Sequence, residues 1–201
     1  MAGTMDLRRL LVAIANLDHT TALELLIATP SLSTAAVARS DEFFLTERLA
    51  QVYEGDTALH AAGFSYDPDA ARELIARGAD IRARNRRGAE PLHAAVSGGP
   101  GAATWDPAHQ RDVIAYFIEA GADPNAAAAG GVTPLHRAVR NRCSAAVEAL
   151  LRAGADPRLQ NDHGSTASDL AKWTTGRGGT GTAAAKAEQR TIVELLEIHM
   201  A

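Results

Sequence analysis

The chain has 201 residues, enough for one sizeable domain or a short array of repeats. Its 46% hydrophobic and 22% charged residues are typical of a soluble globular protein. The net charge of −4 argues against a general nucleic-acid or membrane-surface binder, and no apolar run reaches the ~20 residues of a membrane span. We therefore expect a cytoplasmic protein, and the scarcity of lysine beside arginine indicates a bacterial gene.

Two helices are predicted at the beginning of the chain. Apolar residues recur there at i, i+3, i+4 and i+7, the stripe of an amphipathic helix: Leu7, Leu10, Leu11 and Ile14. A second helix is predicted from about Thr20 to Ala28, ending before Pro30. We interpret residues 1–30 as an N-terminal helical cap.

Residues 31–54 are predicted to be an insertion between this cap and the rest of the chain. Leu45, Leu49 and Val52 have helical spacing, which predicts an extra helix over Asp41–Val52. Insertions in a repeat array loop out on one face, and that face is often the one that binds a ligand.

A hexapeptide pattern recurs from residue 55 onwards. Its copies are Gly55-Asp-Thr-Ala-Leu-His60, Gly88-Ala-Glu-Pro-Leu-His93, Gly131-Val-Thr-Pro-Leu-His136 and the decayed Gly164-Ser-Thr-Ala-Ser-Asp169. A Gly-Ala-Asp marker at 78–80, 121–123 and 154–156 recurs in step with it. Two markers that step together define four units, which we place at 55–87, 88–130, 131–163 and 164–201.

Each unit predicts a pair of helices. A threonine can cap the first helix by accepting an orphan backbone N–H, at Thr57, Thr133 and Thr166. Apolar residues at helical spacing then mark a longer second helix. A glycine can end that helix in the left-handed conformation, at Gly78, Gly121 and Gly154.

These residues resemble the ankyrin repeat, whose 33-residue period and Thr-Pro-Leu-His signature they match. The resemblance covers about residues 55–201. It implies an all-α solenoid in which antiparallel helix pairs stack side by side and finger-like turns project from one edge. We expect one continuous, monomeric domain with the N-terminal cap pair, four repeat units and their insertions.

The histidines that recur in register do not predict a metal site. Neighbouring helices pack ~8–10 Å apart, whereas two zinc ligands must each lie ~2.0–2.1 Å from the metal. The resemblance implies instead that His60, His93 and His136 form local hydrogen bonds that stabilise the turns. No catalytic motif is present, so we expect no metal, no cofactor and no enzymatic activity.

Two further insertions, 97–107 and 174–185, connect the first helix to the second in their units. Both should emerge at the same edge of the stack. Together with residues 31–54 they provide an alternative function, a small-molecule binder or enzyme whose pocket the insertions frame. A closed, aromatic-lined pocket beneath Trp105 would favour that alternative.

The leading interpretation is a protein-interaction module or adaptor. The resemblance implies a binding face made of the fingers and the exposed side of the first helices. One finger, residues 81–88, carries four arginines, and residues 137–142 carry three more. This basic centre is either a solvated charge run or a site for an acidic or phosphorylated patch on a protein partner.

Most aromatic residues lie in insertions, turns or the ends of first helices. They either anchor the insertions to the repeats or belong to a recognition surface, where tyrosine, tryptophan and arginine are favoured. The predicted partner contacts are Arg84, Arg86, Arg87, Arg140, Tyr53, Phe64, Tyr66, Trp105 and Trp173.

Overall fold

The computed structural model describes residues 2–48, 50–173 and 182–200, with the side chains of all of these except 2–4, 47 and 173. The helices run over Ala2–Ala15 (α1), His19–Ala28 (α2), Ala58–Ser65 (α3), Pro68–Ala76 (α4), Pro91–Ala95 (α5), Pro107–Glu119 (α6), Pro134–Asn141 (α7), Ser144–Arg152 (α8), Ala167–Trp173 (α9) and Ala183–Met200 (α10). Two short strands lie at Phe43–Leu45 (β1) and Ala50–Val52 (β2). Short 3-10 turns lie at Pro30–Ser33, Arg39–Asp41, Thr46–Arg48 and Ala129–Gly131.

The helices form two layers. The first helices α1, α3, α5, α7 and α9 each pack against the next, and the second helices α4, α6, α8 and α10 do the same. The signature leucines Leu59, Leu92 and Leu135 are fully buried between the layers. This arrangement confirms the all-α repeat solenoid predicted from the sequence.

The predicted helix ends form. Thr57 and Thr133 cap α3 and α7 in reciprocal capping boxes, in which the histidine three residues later accepts the backbone N–H of the threonine. Glu90 takes the equivalent place before α5, and its N–H donates to Nδ1 of His93. The glycines that follow the second helices have φ between 86° and 99°, the left-handed region: Gly78, Gly121 and Gly154.

The extra helix predicted over Asp41–Val52 is wrong. β1 and β2 pair there as an antiparallel hairpin, in the register Phe43 with Val52 and Leu45 with Ala50. The physical reason is that Ala50 and Val52 are buried while Gln51 between them is partly exposed, which is the period of a strand. After β2 the chain turns at Glu54 and Gly55, and Val37 exchanges backbone hydrogen bonds with Gly55 and Asp56 at the first finger.

The helices α3 and α5 approach closely at Gly63. A Cβ atom at this position would lie 2.8 Å from the carbonyl oxygen of Pro91 and 3.0 Å from the amide nitrogen of Ala95. Both are backbone atoms that cannot turn away, so a larger residue must push the two first helices apart. The glycine is therefore required by the packing of neighbouring repeats.

We expect Gly63→Val to lower the free energy of unfolding by about 1–3 kcal/mol, because overpacking forces a backbone shift. Urea unfolding measures the change. Ala115→Val is the matched control, because Ala115 lies on the exposed face of α6 and a valine there meets no opposing helix. Equal losses in the two variants would contradict the close approach of α3 and α5.

Candidate functional site

The signature histidines hold the fingers in place. Each ring accepts a backbone N–H at Nδ1 from its own turn, so the protonated Nε2 donates to a carbonyl of the next repeat. These bonds join His60 to Ala89, His93 to Val132 and His136 to Ser165 at 3.0–3.1 Å. Burial lowers the pKa of all three rings, that of His93 to about 3, so they are neutral at pH 7.

The finger 81–88 presents its arginines to different partners. Arg84 donates from Nε to Oε1 of the buried Glu90 at 3.0 Å. Arg86 forms a two-pronged ion pair with Glu42 of the first insertion, and its guanidinium lies 4.8 Å from the centroid of the Tyr53 ring. Two of the predicted contacts, Arg84 and Arg86, are thus already paired within the chain.

Three other arginines form a cluster without carboxylate partners in the described residues. We call Arg87, Arg137 and Arg140 the arginine cluster. Arg137 is half-buried and donates from Nη1 to the carbonyl oxygen of His93 at 2.9 Å, while Arg87 and Arg140 are exposed. Burial lowers the pKa of Arg137, and the charges of Arg87 and Arg140 lower it further. The finger and α7 therefore concentrate positive charge on the side of the array formed by the fingers and the first helices, which we call the concave face.

The predicted aromatic contacts separate into two groups. Tyr53 and Phe64 are half-buried on the concave face, and the guanidinium of Arg87 lies 5.4 Å from the centroid of the Tyr53 ring. Tyr66 is only 5% exposed and its role as a partner contact stays a prediction. The side chain of Trp173 and residues 174–181 of the third insertion lie outside the described residues.

Tyr66 and Trp105 anchor the second insertion to the repeats. The hydroxyl of Tyr66 donates to the carbonyl oxygen of Ser97, and Nε1 of the half-buried Trp105 donates to Gln110 at 3.0 Å. The buried thiol of Cys143 donates to the carbonyl oxygen of Gly98 at 2.9 Å, and burial raises its pKa to about 12. These aromatic side chains hold the insertion in place, which is the anchoring role that the sequence left open.

Two insertions line an open cavity of about 400 Å³ on the concave face, which we call the central cavity. Its walls include Arg48, Ala50 and Gln51 of the first insertion and Ser97, Gly98 and Thr104 around the second. The other lining residues include Tyr53 at the end of the first insertion, Phe64 of α3, Arg87 of the finger and Arg137 of α7. Trp105 lines a neighbouring cavity of about 560 Å³, which shares Arg48, Tyr66 and Thr104 with the first.

Two family models match this chain. One, described as ankyrin repeats (3 copies), matches residues 10–128, and another, described as ankyrin repeats (many copies), matches residues 117–171. The chain belongs to the ankyrin repeat family. The ankyrin match begins within α1, so it includes the cap pair and the first insertion, which lack the signature. No curated protein matches the chain.

Two residues of this ankyrin site were missed among the predicted contacts. Arg48 lies in the segment that was predicted as a helix, and its guanidinium donates from Nε to the carbonyl oxygen of Ala15 at 2.8 Å. Arg137 belonged to the basic run but was not chosen as a contact. A comparison of units gives the signal for it, because Arg137 stands where the other two intact signatures have Ala61 and Ala94.

The described residues of this ankyrin chain contain no cluster of three or more metal-ligating side chains. Within the same residues, no helix combines the length and apolar character that crossing a membrane requires.

Proposed function

We propose that the chain is a non-catalytic adaptor whose concave face binds another protein. Ankyrin repeats are generally protein-interaction modules, and this chain belongs to that family. The observation that carries the proposal is the arginine cluster, three cations that no carboxylate of the described residues pairs, on a chain of net charge −4.

The arginine cluster indicates the chemistry of the partner surface. Arg87 and Arg140 are exposed, and Arg87 lines the central cavity together with the half-buried rings of Tyr53 and Phe64. Arginine beside aromatic side chains is typical of the residues that contribute most to protein interfaces. An acidic or phosphorylated patch on the partner would pair with the cluster through charge-assisted hydrogen bonds.

The proposed contacts are accordingly Arg87, Arg137, Arg140, Tyr53 and Phe64, with the paired Arg84 and Arg86 at the border of the face. Residues 1–30, the insertion 31–54 and the four units to residue 201 act in this proposal as one continuous domain. We further propose that it works as a monomer in the bacterial cytoplasm.

We expect the double charge reversal Arg87→Glu with Arg140→Glu to weaken partner binding at least about tenfold, because like charges then face each other across the interface. Affinity capture from a lysate of the source organism, read by mass spectrometry, identifies the partner. Titration with the purified partner then measures the change.

Arg111→Glu is the matched control, because it reverses a charge on the exposed side of α6 away from the concave face. Circular dichroism should show the same fold for all variants. If the double variant binds the identified partner with unchanged affinity, the concave face is not the interface.

A second candidate function is a small-molecule binder, which the central cavity favours. Two of the three insertions contribute to its lining, and its volume of about 400 Å³ falls within the ~300–1,000 Å³ typical of small-ligand sites. Mass-spectrometric analysis of small molecules in the captured material tests this candidate alongside the first. A co-purifying metabolite without a protein partner would favour it over the adaptor.

A further inference from the structure

The central cavity brings together three guanidinium groups from separate parts of the chain. Arg48 comes from the first insertion, Arg87 from the arginine-rich finger and Arg137 from α7. Among the described residues none of the three forms an ion pair, although Arg84 and Arg86 on the same finger do. The three cavity arginines therefore differ from Arg84 and Arg86, whose charges are compensated by Glu90 and Glu42.

Arg137, like Arg48 and Arg87, forms a single side-chain hydrogen bond within the described residues. A guanidinium has five N–H donors, and the carbonyl oxygen of His93 is the one acceptor that Arg137 reaches in the described part of the chain. Arg87 and Arg140 add repulsion to the cost of burying its charge, which is why its pKa is lowered. An arginine stays charged at neutral pH, so Arg137 remains a cation although burial and the neighbouring arginines disfavour its charge.

The buried carboxylate of Asp56 attracts Arg137 but does not pair with it. Its two oxygens accept hydrogen bonds from Nδ2 of Asn85 at 2.8 Å and from the backbone N–H of Tyr53 at 2.7 Å. Asp67 attracts Arg48 from the neighbouring cavity, where it is bonded to His19 at 2.8 Å. The central cavity keeps an excess of positive charge after both carboxylates are counted.

The walls of the cavity add a shape preference to this charge. The rings of Tyr53, Phe64 and Tyr66 line it together with the three arginines. Forked guanidinium donors match the oxygens of a carboxylate or phosphate, and aromatic rings favour contact with a planar apolar group. A ligand that carries both parts would satisfy the donors and the rings at once.

We propose that the central cavity binds an oxyanion, a carboxylate or a phosphate, attached to a planar apolar body, with Arg137 as its principal contact. The group arrives either on a free small molecule or on a side chain of the protein partner, and the recognition chemistry is the same. If the ligand is a free molecule, the inference depends only on the lining of the cavity. If the ligand is a side chain of the protein partner, the inference also rests on the proposed adaptor function.

The test is a calorimetric titration of the full chain with phenyl phosphate and, separately, with inorganic phosphate. Phenyl phosphate should bind in a saturable 1:1 manner with a Kd on the order of 0.1–1 mM. Inorganic phosphate should bind more weakly, since it lacks the body that contacts the rings. Equal affinity for the two probes would overturn the requirement for a planar body.

We expect Arg137→Gln and Arg87→Gln each to weaken phenyl phosphate binding at least about tenfold. Arg111→Gln is the control, because it removes the same charge from an exposed site outside the cavity and should leave the affinity unchanged. The Tm of Arg137→Gln should equal or exceed that of the wild type, since relief of repulsion offsets the lost bond to His93. A merely structural arginine would lower the Tm, and Arg87→Gln keeps the test valid if Arg137→Gln does not fold.

Excess phenyl phosphate added during capture of the protein partner distinguishes the two sources of the anion. Displacement of the partner assigns the cavity to one of its side chains, and retention assigns it to a free small molecule. No saturable binding to the wild type, or equal weakening in Arg111→Gln and Arg137→Gln, would overturn the proposal. Because the titration uses no partner, its failure is distinguishable from failure of the adaptor function.

Discussion

Replacing Phe117 with alanine is expected to lower the free energy of unfolding by about 3–5 kcal/mol. Phe117 is among the largest side chains of the structure that are fully buried. It lies on α6, which packs against α4, α5 and α8, so it is at the centre of the stack of second helices. Alanine would leave a cavity that the flanking helices cannot fill without moving. Denaturant unfolding followed by circular dichroism measures the loss.

Tyr116→Ala is the control for this prediction, because it removes the neighbouring aromatic side chain from the same helix. Tyr116 is half-buried, and its ring lies 5.1 Å from the guanidinium of Arg72. We expect a loss of about 1 kcal/mol, from partial burial and an exposed cation–π contact. A loss as large as that of Phe117→Ala would show that the second helices do not pack around Phe117.

Acidification from pH 7 to pH 4 is expected to cost about 3 kcal/mol of folding free energy at His93 alone. The pKa of this histidine is about 3 in the fold, because burial disfavours its charged form, whereas the unfolded value is about 6.5. Below pH 6.5 the unfolded chain therefore binds more protons than the folded chain, and stability falls as the pH drops towards 3. The pKa values of His60 and His136 are lowered in the same direction.

Urea unfolding at pH 7, 6, 5 and 4 measures this dependence. His93→Gln should be less stable at pH 7, because the bonds to Glu90 and Val132 are lost, but its stability should change less with pH. A free energy of unfolding that stays constant from pH 7 to pH 4 would show that His93 is not buried as a neutral ring.

The repeats were predictable because their residues perform local tasks. A threonine that caps a helix, a leucine that fills the core and a glycine in the left-handed region each act within a few residues, so the pattern survives in the sequence. The hairpin β1–β2 was not predictable, because Leu45, Leu49 and Val52 have a spacing that predicts a helix. The strands are favoured instead by the alternating burial of Ala50–Val52 and by the backbone hydrogen bonds between Val37 and the first finger.

The candidate site was only partly predictable for a different reason. The basic finger and α7 were visible as charge runs, but the sequence could not show which arginines are paired. Glu42 pairs with Arg86 across 44 positions of the chain, and only the folded hairpin brings them together. Tyr66 had the composition of a contact residue, yet its hydroxyl is directed to Ser97 of the second insertion. The long-range bonding partner of a side chain, and not its residue type, therefore shows whether that side chain is already engaged within the fold.

The hydrogen bonds from the signature histidines to the next repeat have a consequence for the design of longer arrays. Each imidazole offers a proton to the carbonyl of the following repeat, but the fourth unit has Asp169 at this position. Its carboxylate accepts from Thr166 and has no proton to offer a carbonyl beyond it. Duplicating unit 131–163 within the array would supply a new donor, whereas a unit joined after residue 200 would meet a carboxylate. A unit inserted within the array therefore has a histidine donor at its junction, whereas a unit added at the C-terminal end does not.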